Sequence, residues 1–405
     1  MEYHISVDHM SEQNDGKKQS SEEREDRKLA DLIKTTHSSL REKIQLAYAH
    51  NSRIKIEIED SIWNEHADAR MVNEIATLPS DPNTSSTPWC YSQAMKKLAD
   101  CHWNINIDND SNNSGGCSRT EWLKSHIEKY FESDQTRFCA RLEKRKNYNK
   151  LGKTEPIVEE HKIDRFNVDD SFKTEVKILD VGSCHNPLKQ EFLNKPVNIT
   201  AIDLCPSAES VFKCDFLRVS IAKTDKLFAL SNHNSNEIDQ LEENGFDVVV
   251  FCLFLEYLPS PRLRHKACVR AKKLLKDNGL LLIVTPDSSR NHAKNETQMK
   301  SWRVAMANLG LLRIYTEKQR HLRCLGFVKV DESRFADICA EESSKLKLKL
   351  SQDSSNSNYS EMDEYDLLYI PQDNTTKELI KDKHPELENS INSRLIPPNT
   401  CKDSL

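Results

Sequence analysis

The sequence has 405 residues, enough for more than one domain, since single domains usually span roughly 100–200 residues. Its hydrophobic fraction is 37% and its mean hydropathy is -0.71, values that indicate a folded centre with long polar extensions. The net charge of -6 argues against a nucleic-acid-binding protein, because domains that bind polyanions usually carry a clustered positive excess. The longest apolar stretch, Val248 to Leu255, is too short to cross a bilayer, which takes about 20 residues.

The beginning of the sequence has no basic region followed by an apolar one, so we expect no secretory signal and a cytoplasmic location. The 12 cysteines include no CxxC pair and no Cys/His cluster with zinc spacing. In a reducing compartment such cysteines are small buried hydrophobic residues or free thiols. We therefore expect no disulfide and no metal site.

The N-terminal part of the sequence divides into two regions. Residues 1–23 are too polar to bury a core, which predicts disorder. From Arg24 onward, apolar residues recur at spacings of three and four and predict a long helix with one apolar stripe. The stripe consists of Leu29, Ile33, Thr36, Leu40 and Ile44. Such a stripe needs a packing partner.

Further helical patterns follow and predict a small helical domain over residues 24–140. One helix lies near Glu121, where Leu123, Ile127 and Tyr130 share a face. For Trp63, Trp103 and Trp122 the simplest interpretation is core packing, because large aromatic residues dominate small helical cores. The basic run that begins at Arg141 is best interpreted as part of a solvated linker over residues 141–173, since Tyr148 is the one aromatic residue among its charges.

Residues 174–330 alternate between apolar strands and helices, which predicts an α/β domain with a mostly parallel sheet and a closing hairpin. A helix that carries Leu263 is expected to end at Asn278-Gly279. The predicted strands are Val176–Val181, Val197–Ile202, a short one ending at Cys214–Phe216, Phe246–Leu253, Leu280–Thr285, Leu311–Thr316 and Arg323–Val330.

Residues 331–405 are acidic and rich in serine, with 16 Asp and Glu against 9 Lys and Arg over residues 331–405, and we expect a mostly disordered tail there. One island, Leu367 to Asp373, is apolar enough to dock on a surface.

Residues at the ends of the first three strands predict a nucleoside pocket. Gly182 directly follows the first strand and precedes a helix, where it lets the backbone approach a ligand closely. Asp203 ends the second strand at the distance where a carboxylate typically binds ribose hydroxyls. Asp215 and Phe216 end the third, where a carboxylate can accept from an adenine amine and a ring can pack on the base. The alternative is that both carboxylates cap the following helices.

The glycine pattern narrows the choice of ligand. A nicotinamide dinucleotide needs G-x-G-x-x-G around its pyrophosphate, and no second glycine follows Gly182. S-adenosylmethionine has no phosphate, so a turn with one glycine can accept it. We therefore predict an S-adenosylmethionine pocket, with Ser183, Leu204 and Cys252 beside the strand ends completing it.

Several motifs resemble those of the SAMTOR family, S-adenosylmethionine sensors upstream of the mTOR kinase complex, which is itself similar to the Bmt-type ribosomal RNA adenine methyltransferases. The resemblance is close over residues 174–330 and reaches the helical region and the tail. The motifs are Asp180-Val-Gly-Ser-Cys-His-Asn-Pro187, Tyr257-Leu-Pro-Ser-Pro261, Met299-Lys-Ser-Trp302 and Leu368-Tyr-Ile-Pro-Gln-Asp373.

The resemblance implies a class I (Rossmann-like) methyltransferase domain preceded by a helical domain. It also implies that the ligand-free protein binds GATOR and KICSTOR complexes, restrains mTOR signalling and is released by S-adenosylmethionine, with recruitment to the lysosomal surface through those partners. S-adenosylhomocysteine is expected to bind as well. If the helical domain closes over the ligand, His66 and Trp103 are the candidate contacts from that side.

No catalytic residue is predicted. Methyltransferases that act on base amines generally carry Asn/Asp-Pro-Pro-Tyr/Phe after the fourth strand of the fold, where this sequence has Leu255-Glu-Tyr-Leu-Pro259. Glu256 and Tyr257 could act as a base or a stacking platform, and methyl transfer can also proceed by positioning alone. Three alternatives remain, with the sensor favoured over an RNA methyltransferase and over a scaffold with a vestigial pocket.

Overall fold

A computed structural model describes part of the chain. The described residues are 21–50, 55–71, 94–95, 97, 118–150, 175–223, 236–287, 292–319, 322–353 and 363–387. The strands are β1 Val176–Val181, β2 Val197–Asp203, β3 Phe212–Lys213, β4 Ser220–Ala222, β5 Gln240–Glu242, β6 Phe246–Cys252, β7 Leu275–Pro286, β8 Leu311–Lys318 and β9 Leu322–Lys329.

The helices lie before, between and after the strands. They are α1 Ser21–His50, α2 Lys55–Met71, α3 Arg119–Lys129, α4 Gln135–Lys150, α5 Leu188–Glu191, α6 Pro261–Leu274, α7 His292–Asn308, α8 Glu332–Asp353 and α9 Pro371–Lys383. A π-helical turn, Tyr130–Asp134, joins α3 to α4, and a 3-10 turn, Glu364–Leu368, precedes α9. Among the described residues, no helix is both long and apolar enough to cross a membrane.

Seven strands form one sheet in the order β3-β2-β1-β6-β7-β9-β8, and β4 pairs with β5 beside it. The first five strands of that order are parallel, whereas β9 runs antiparallel to both β7 and β8. The predicted α/β fold of the class I methyltransferase type, with its closing hairpin, is confirmed. Strand order reverses between β1 and β6, which is where open α/β sheets bind their ligands.

Strand β6 explains why the sheet is buried on both faces. Its residues point alternately to opposite sides, so Val249 and Phe251 belong to one apolar cluster and Val248 and Val250 to another. Helices cover both clusters, as parallel sheets require. A continuous apolar run is therefore what the middle strand of such a sheet needs.

Much of the helical region that we predicted as a separate domain over residues 24–140 packs directly on the sheet in the described residues. Leu40 and Ile44 of α1 and Trp63 of α2 pack into the cluster on one face of the sheet. Trp122 and Ile127 of α3 pack into the cluster on the other face. The C-terminal part of the α1 stripe therefore packs on the sheet, whereas Leu29 and Ile33 at its other end form a small cluster with Ala94.

Two predictions of irregular structure were also wrong. The basic run at 141–150 belongs to α4, whose Arg145 pairs with Glu341 of α8 at 3.0 Å between Nη2 and Oε2. The tail contains α8 and α9, and the predicted docking island runs from the 3-10 turn into the first turn of α9, with Leu367 and Leu368 buried. Charged residues of the two regions bind each other, so their composition did not imply solvation. Residues 1–20, 151–174 and 388–405 lie outside the described residues.

One helix boundary also differs from the prediction. Helix α6 ends at Leu274, and β7 begins at once, so Asn278-Gly279 lies within the strand rather than at a helix end. Asn278 has a φ of 60°, and its carbonyl accepts from the Tyr130 hydroxyl at 2.7 Å. Asn278, in the left-handed conformation, lies in the first part of β7, where the pairing of β7 with β6 shifts register.

Candidate ligand-binding site

A cavity lies at the carboxyl edge of the sheet, beside the point where strand order reverses. It collects eight of the nine residues that we predicted for the ligand pocket. These are Gly182, Ser183, Asp203, Leu204, Asp215, Phe216, Cys252 and His66. The ninth, Trp103, lies outside the described residues. Parallel strands bring their carboxyl ends to one edge, so residues distant in sequence meet here.

The turn after β1 is held by the protein's own hydrogen bonds. Gly182 has a φ of +74°, a conformation that favours glycine, and a Cβ there would lie 2.9 Å from the ring of Phe254. The amides of Gly182 and Ser183 both donate to the carbonyl of Ile202, at 2.9 and 3.1 Å. The close approach that requires glycine is thus to Phe254, and not to the open part of the cavity.

Asp203 keeps hydrogen-bonding capacity for a ligand. Its Oδ2 accepts from the amide of Cys184 at 3.0 Å and its Oδ1 from the amide of Cys205 at 2.7 Å. Each carboxylate oxygen has two acceptor sites, so one site on each oxygen remains for ribose hydroxyls. Burial raises the pKa of Asp203, and the two amide hydrogen bonds act in the opposite direction.

Asp215 lies two residues beyond the end of β3 and is surrounded by protein donors. Its Oδ1 accepts from the amide of Leu217 at 2.9 Å, and its Oδ2 from Nε of Arg218 at 2.6 Å. The indole N–H of Trp63 reaches both oxygens. The Leu217 contact closes a turn over residues 216–218, and no helix follows Asp215 before β4, so this contact is not the helix cap that we gave as the alternative role.

Phe216, in the turn after β3, and His66, in α2, both line the cavity. The Phe216 ring packs edge-on against Phe251 at 5.6 Å between centroids, with the guanidinium of Arg270 5.8 Å from its centroid. Burial, together with the charges of Arg70 and Lys43, lowers the pKa of His66 to about 4. His66 is therefore neutral at physiological pH and adds no positive charge to the site.

A buried acid and a thiol lie at the ends of β1 and β6. Asp180 accepts from the Ser183 hydroxyl at 2.6 Å, and burial raises its pKa to about 6. Burial likewise raises the pKa of Cys252 to about 12, so this thiol is neutral. The charge of Arg119 acts on both groups.

The sequence-based prediction missed the contributions of three helices to the cavity. His37 of α1, Trp63 and Arg70 of α2, and Arg119 at the start of α3 all line it, together with Tyr257 after β6. For Arg119 a local signal existed, because Ser118 and Glu121 form a capping box that fixes where α3 begins. No local pattern indicates that this helix start faces the cavity.

Helix α1 covers the segment after β6. Arg41 donates from Nη2 to the carbonyl of Glu256 at 2.7 Å, and the His37 ring lies 4.7 Å from that of Tyr257. The Glu256 side chain is 2% exposed, and burial raises its pKa to about 8. Neither of its carboxylate oxygens accepts a hydrogen bond from the part of the chain that the structure describes.

These features fit S-adenosylmethionine on one point of geometry above all. The free acceptor sites of Asp203 lie at the strand end where a ribose diol is expected, beside the apolar wall of Leu204 and Leu217. The turn after β1 offers no cluster of free amides for a pyrophosphate, because its amides already donate to Ile202.

Comparison with known proteins identifies the family to which the chain belongs. A family described as "Methyltransferase domain" matches residues 128–324. The S-adenosylmethionine sensor upstream of mTORC1 of Danio rerio is 33% identical over 366 residues, covering 88% of this chain and 78% of that protein. The protein of the same name from Xenopus laevis is also 33% identical over 366 residues, covering 86% of this chain and 76% of that protein.

Similarity to solved structures is weaker. A Burkholderia thailandensis 1,6-didemethyltoxoflavin-N1-methyltransferase with bound S-adenosylhomocysteine is 14% identical, with a TM-score of 0.28 over 52% of this chain and 88% of that chain. The sheet topology and the domain match define the class: a protein with a Rossmann-like methyltransferase domain. The fish and frog relatives define the particular group, and the chain belongs to the family of S-adenosylmethionine sensors upstream of mTORC1. The resemblance noted in the sequence is thereby confirmed.

Proposed function

We propose that this protein binds S-adenosylmethionine in the cavity at the carboxyl edge of the sheet and reports its presence to the mTORC1 pathway. The ligand-free protein binds subunits of the GATOR and KICSTOR complexes and restrains signalling, and the ligand releases them. It acts in the cytoplasm and reaches the lysosomal surface through these partners. S-adenosylhomocysteine binds the same site.

One observation favours a sensor over an enzyme: α1 lies on the segment where the fold usually receives a methyl acceptor. Arg41 binds the Glu256 carbonyl and His37 packs against Tyr257, so this segment is already in contact with the protein's own helix. A substrate base would have to displace α1 to reach it. A sensor needs only that a ligand bind two forms of the protein with different affinity.

The roles of the cavity residues follow from their positions. Asp203 binds the ribose hydroxyls, and Leu204 and Phe216 contact the adenine. Gly182 and Ser183 shape the turn beside the methionine part, near Asp180, Cys252 and Leu253, and His66 contacts the ligand from α2. The pKa of Asp180, raised by burial to about 6, leaves this carboxyl largely ionised at neutral pH, where it favours the positively charged sulfonium.

The test is isothermal titration with S-adenosylmethionine on the wild type and on Asp203→Ala and Asp203→Asn. Loss of a carboxylate that binds the ribose weakens binding on the order of ten- to a hundredfold. Asp203→Asn keeps one acceptor oxygen and checks that lost affinity is not lost folding. Asp382→Ala, on an exposed position of α9, is the matched control and leaves affinity unchanged.

Capture of purified GATOR and KICSTOR complexes with and without S-adenosylmethionine tests the second half of the proposal. The ligand is expected to lower capture by the wild type and to have less effect on Asp203→Ala. Capture that ignores the ligand would contradict a sensor. Transfer of a labelled methyl group to ribosomal RNA would instead favour the methyltransferase.

A further inference from the structure

Glu256 carries a buried carboxyl group close to the cavity. It belongs to a single helical turn after β6, Leu255–Tyr257, and is 2% exposed. Its backbone carbonyl accepts from Arg41 of α1, but neither oxygen of its side chain accepts a hydrogen bond from another residue that the structure describes. Burying a carboxyl group without donors costs free energy, and the cost is larger for the ionised form. Such a group needs an explanation beyond the stability of the fold.

The carboxyl group of Glu256 lies beside the end of the cavity where we place the methionine part of the ligand. Cys252 and Tyr257, four residues before it and one residue after it, both line the cavity. Burial raises the pKa of both side chains, and the charge of Glu256 acts on both in the same direction. Cys252 and Tyr257 are therefore neutral at physiological pH, as is His37 of α1, whose pKa burial lowers. Glu256 is thus within electrostatic reach of a charge in the cavity.

The charged groups around Glu256 do not ionise it in the ligand-free protein. Three guanidinium groups act on it from three helices: Arg41 of α1, Arg119 of α3 and Arg264 of α6. Burial outweighs their charges and raises the pKa of Glu256 to about 8. Arg264 is also occupied elsewhere, because it donates to Asp373 and to two backbone carbonyls. One further positive charge nearby would shift the balance towards the carboxylate.

We infer that Glu256 is a counter-ion for the positively charged methionine end of S-adenosylmethionine, protonated in the ligand-free protein and ionised in the complex. On binding, the O–H bond of the carboxyl group breaks, its proton passes to the buffer, and the sulfonium and ammonium charges of the ligand stabilise the carboxylate. A nearby opposite charge shifts such an ionisation by about tenfold or more. This inference rests on the proposed function and adds a basis for specificity at the same site.

The specificity concerns the methyl donor and its product. S-adenosylhomocysteine has the same ammonium and carboxylate groups but no sulfonium, so it stabilises an ionised Glu256 less. Because the ligand-free protein holds the proton more tightly than the complex does, protons compete with S-adenosylmethionine, and its affinity should rise with pH through about 8. Asp180 contributes little to this rise, since its pKa of about 6 leaves it mostly ionised from pH 7 upward.

The first experiment counts protons. Isothermal titration at pH 7.5 is run in phosphate and in Tris, whose heats of ionisation differ, with each ligand. The wild type is expected to release roughly 0.3–0.5 proton more with S-adenosylmethionine than with S-adenosylhomocysteine, because about three quarters of Glu256 is protonated at this pH. Glu256→Gln keeps the size of the side chain and cannot ionise, so its two counts should agree. Glu378→Gln, on an exposed position of α9, is the matched control and should behave as the wild type.

The second experiment needs no variant. The ratio of wild-type affinities for S-adenosylmethionine and S-adenosylhomocysteine is measured from pH 7 to pH 8.5 and is expected to rise about threefold in favour of S-adenosylmethionine. The ammonium group is common to both ligands, so its own titration cancels in the ratio. A ratio that does not change with pH, or equal proton counts for the wild type and Glu256→Gln, would overturn the inference and leave ligand binding intact. A wild type that binds neither ligand would overturn the proposed function as well.

Discussion

The two segments that flank the methyltransferase domain, α2 on the N-terminal side and residues 363–387 on the C-terminal side, are attached to it in different ways. The C-terminal segment is fixed by fully buried groups: Arg264 binds Asp373 and the Leu368 carbonyl, and Ser301 binds the Leu367 carbonyl at 2.6 Å. None of these five residues lines the cavity. Helix α2 does line the cavity, and one of its ties is to a predicted ligand group.

The two attachments are expected to have different effects: the first stabilises the fold, and the second affects ligand binding. A buried, hydrogen-bonded ion pair holds its segment whether or not ligand is present, because neither partner has another role. The hydrogen bond from Trp63 of α2 to Asp215, in contrast, joins two residues that line the cavity, where a ligand could compete for the same carboxylate. Breaking the first kind of attachment should therefore change stability, and breaking the second should change ligand affinity.

The largest expected effect comes from Arg264→Met. The change leaves Asp373 buried without its partner, which typically destabilises by about 3–5 kcal/mol. Urea unfolding measures it. The double variant Arg264→Met with Asp373→Leu removes both charges and should recover part of the loss. If the single variant loses under about 1 kcal/mol, the C-terminal segment is not held by this pair.

Glu256→Gln tests the N-terminal attachment, because α1 lies over Glu256. The two carboxyl oxygens of Glu256 accept no hydrogen bond from the described residues. Burial raises the pKa of Glu256 to about 8, so the folded state holds a proton that the unfolded state releases at much lower pH. Wild-type stability should therefore fall as pH rises from about 5 to about 8.

The amide of Glu256→Gln does not titrate, so this part of the decline disappears in the variant. The variant is expected to be more stable than the wild type by roughly 1–3 kcal/mol at pH 8.5 and nearly equal to it at pH 5. Thermal unfolding from pH 5 to 9 measures the difference. Parallel curves for the two proteins would mean that Glu256 does not carry a raised pKa.

The sheet could be predicted from the sequence because its strands carry their own signal. Val248–Cys252 is a continuous apolar run, and the bounds of β6, Phe246–Cys252, differ by one residue from the prediction. Helix α8 also carries a signal, since Phe335, Ile338, Leu346 and Leu350 recur at helical spacing and are buried. Our prediction followed the acidic, serine-rich composition of the tail and not this periodicity. The charged residues of α8 in fact pair with those of α4.

Apart from His66, the site was predictable only on the side of the sheet. Asp203 and Asp215 could be placed because strand ends follow from the apolar runs, and parallel strands meet at one edge. His37, Trp63 and Arg119 reach the same cavity through the packing of three helices, which no local pattern records. The occupation of Asp215 by Trp63 is likewise a tertiary contact across 152 residues.

The smallest expected effect comes from Asp68→Asn, which removes the exposed partner of Arg218 in α2. Such pairs are worth about 0–1 kcal/mol and weaken with salt, so stability should change little and the change should vanish at high salt. Ligand affinity should stay within about twofold of the wild type, because Arg218 keeps its bond to Asp215. If Asp68→Asn instead changed S-adenosylmethionine affinity by about tenfold or more, the Arg218–Asp68 pair would belong to the binding site rather than to the exposed surface.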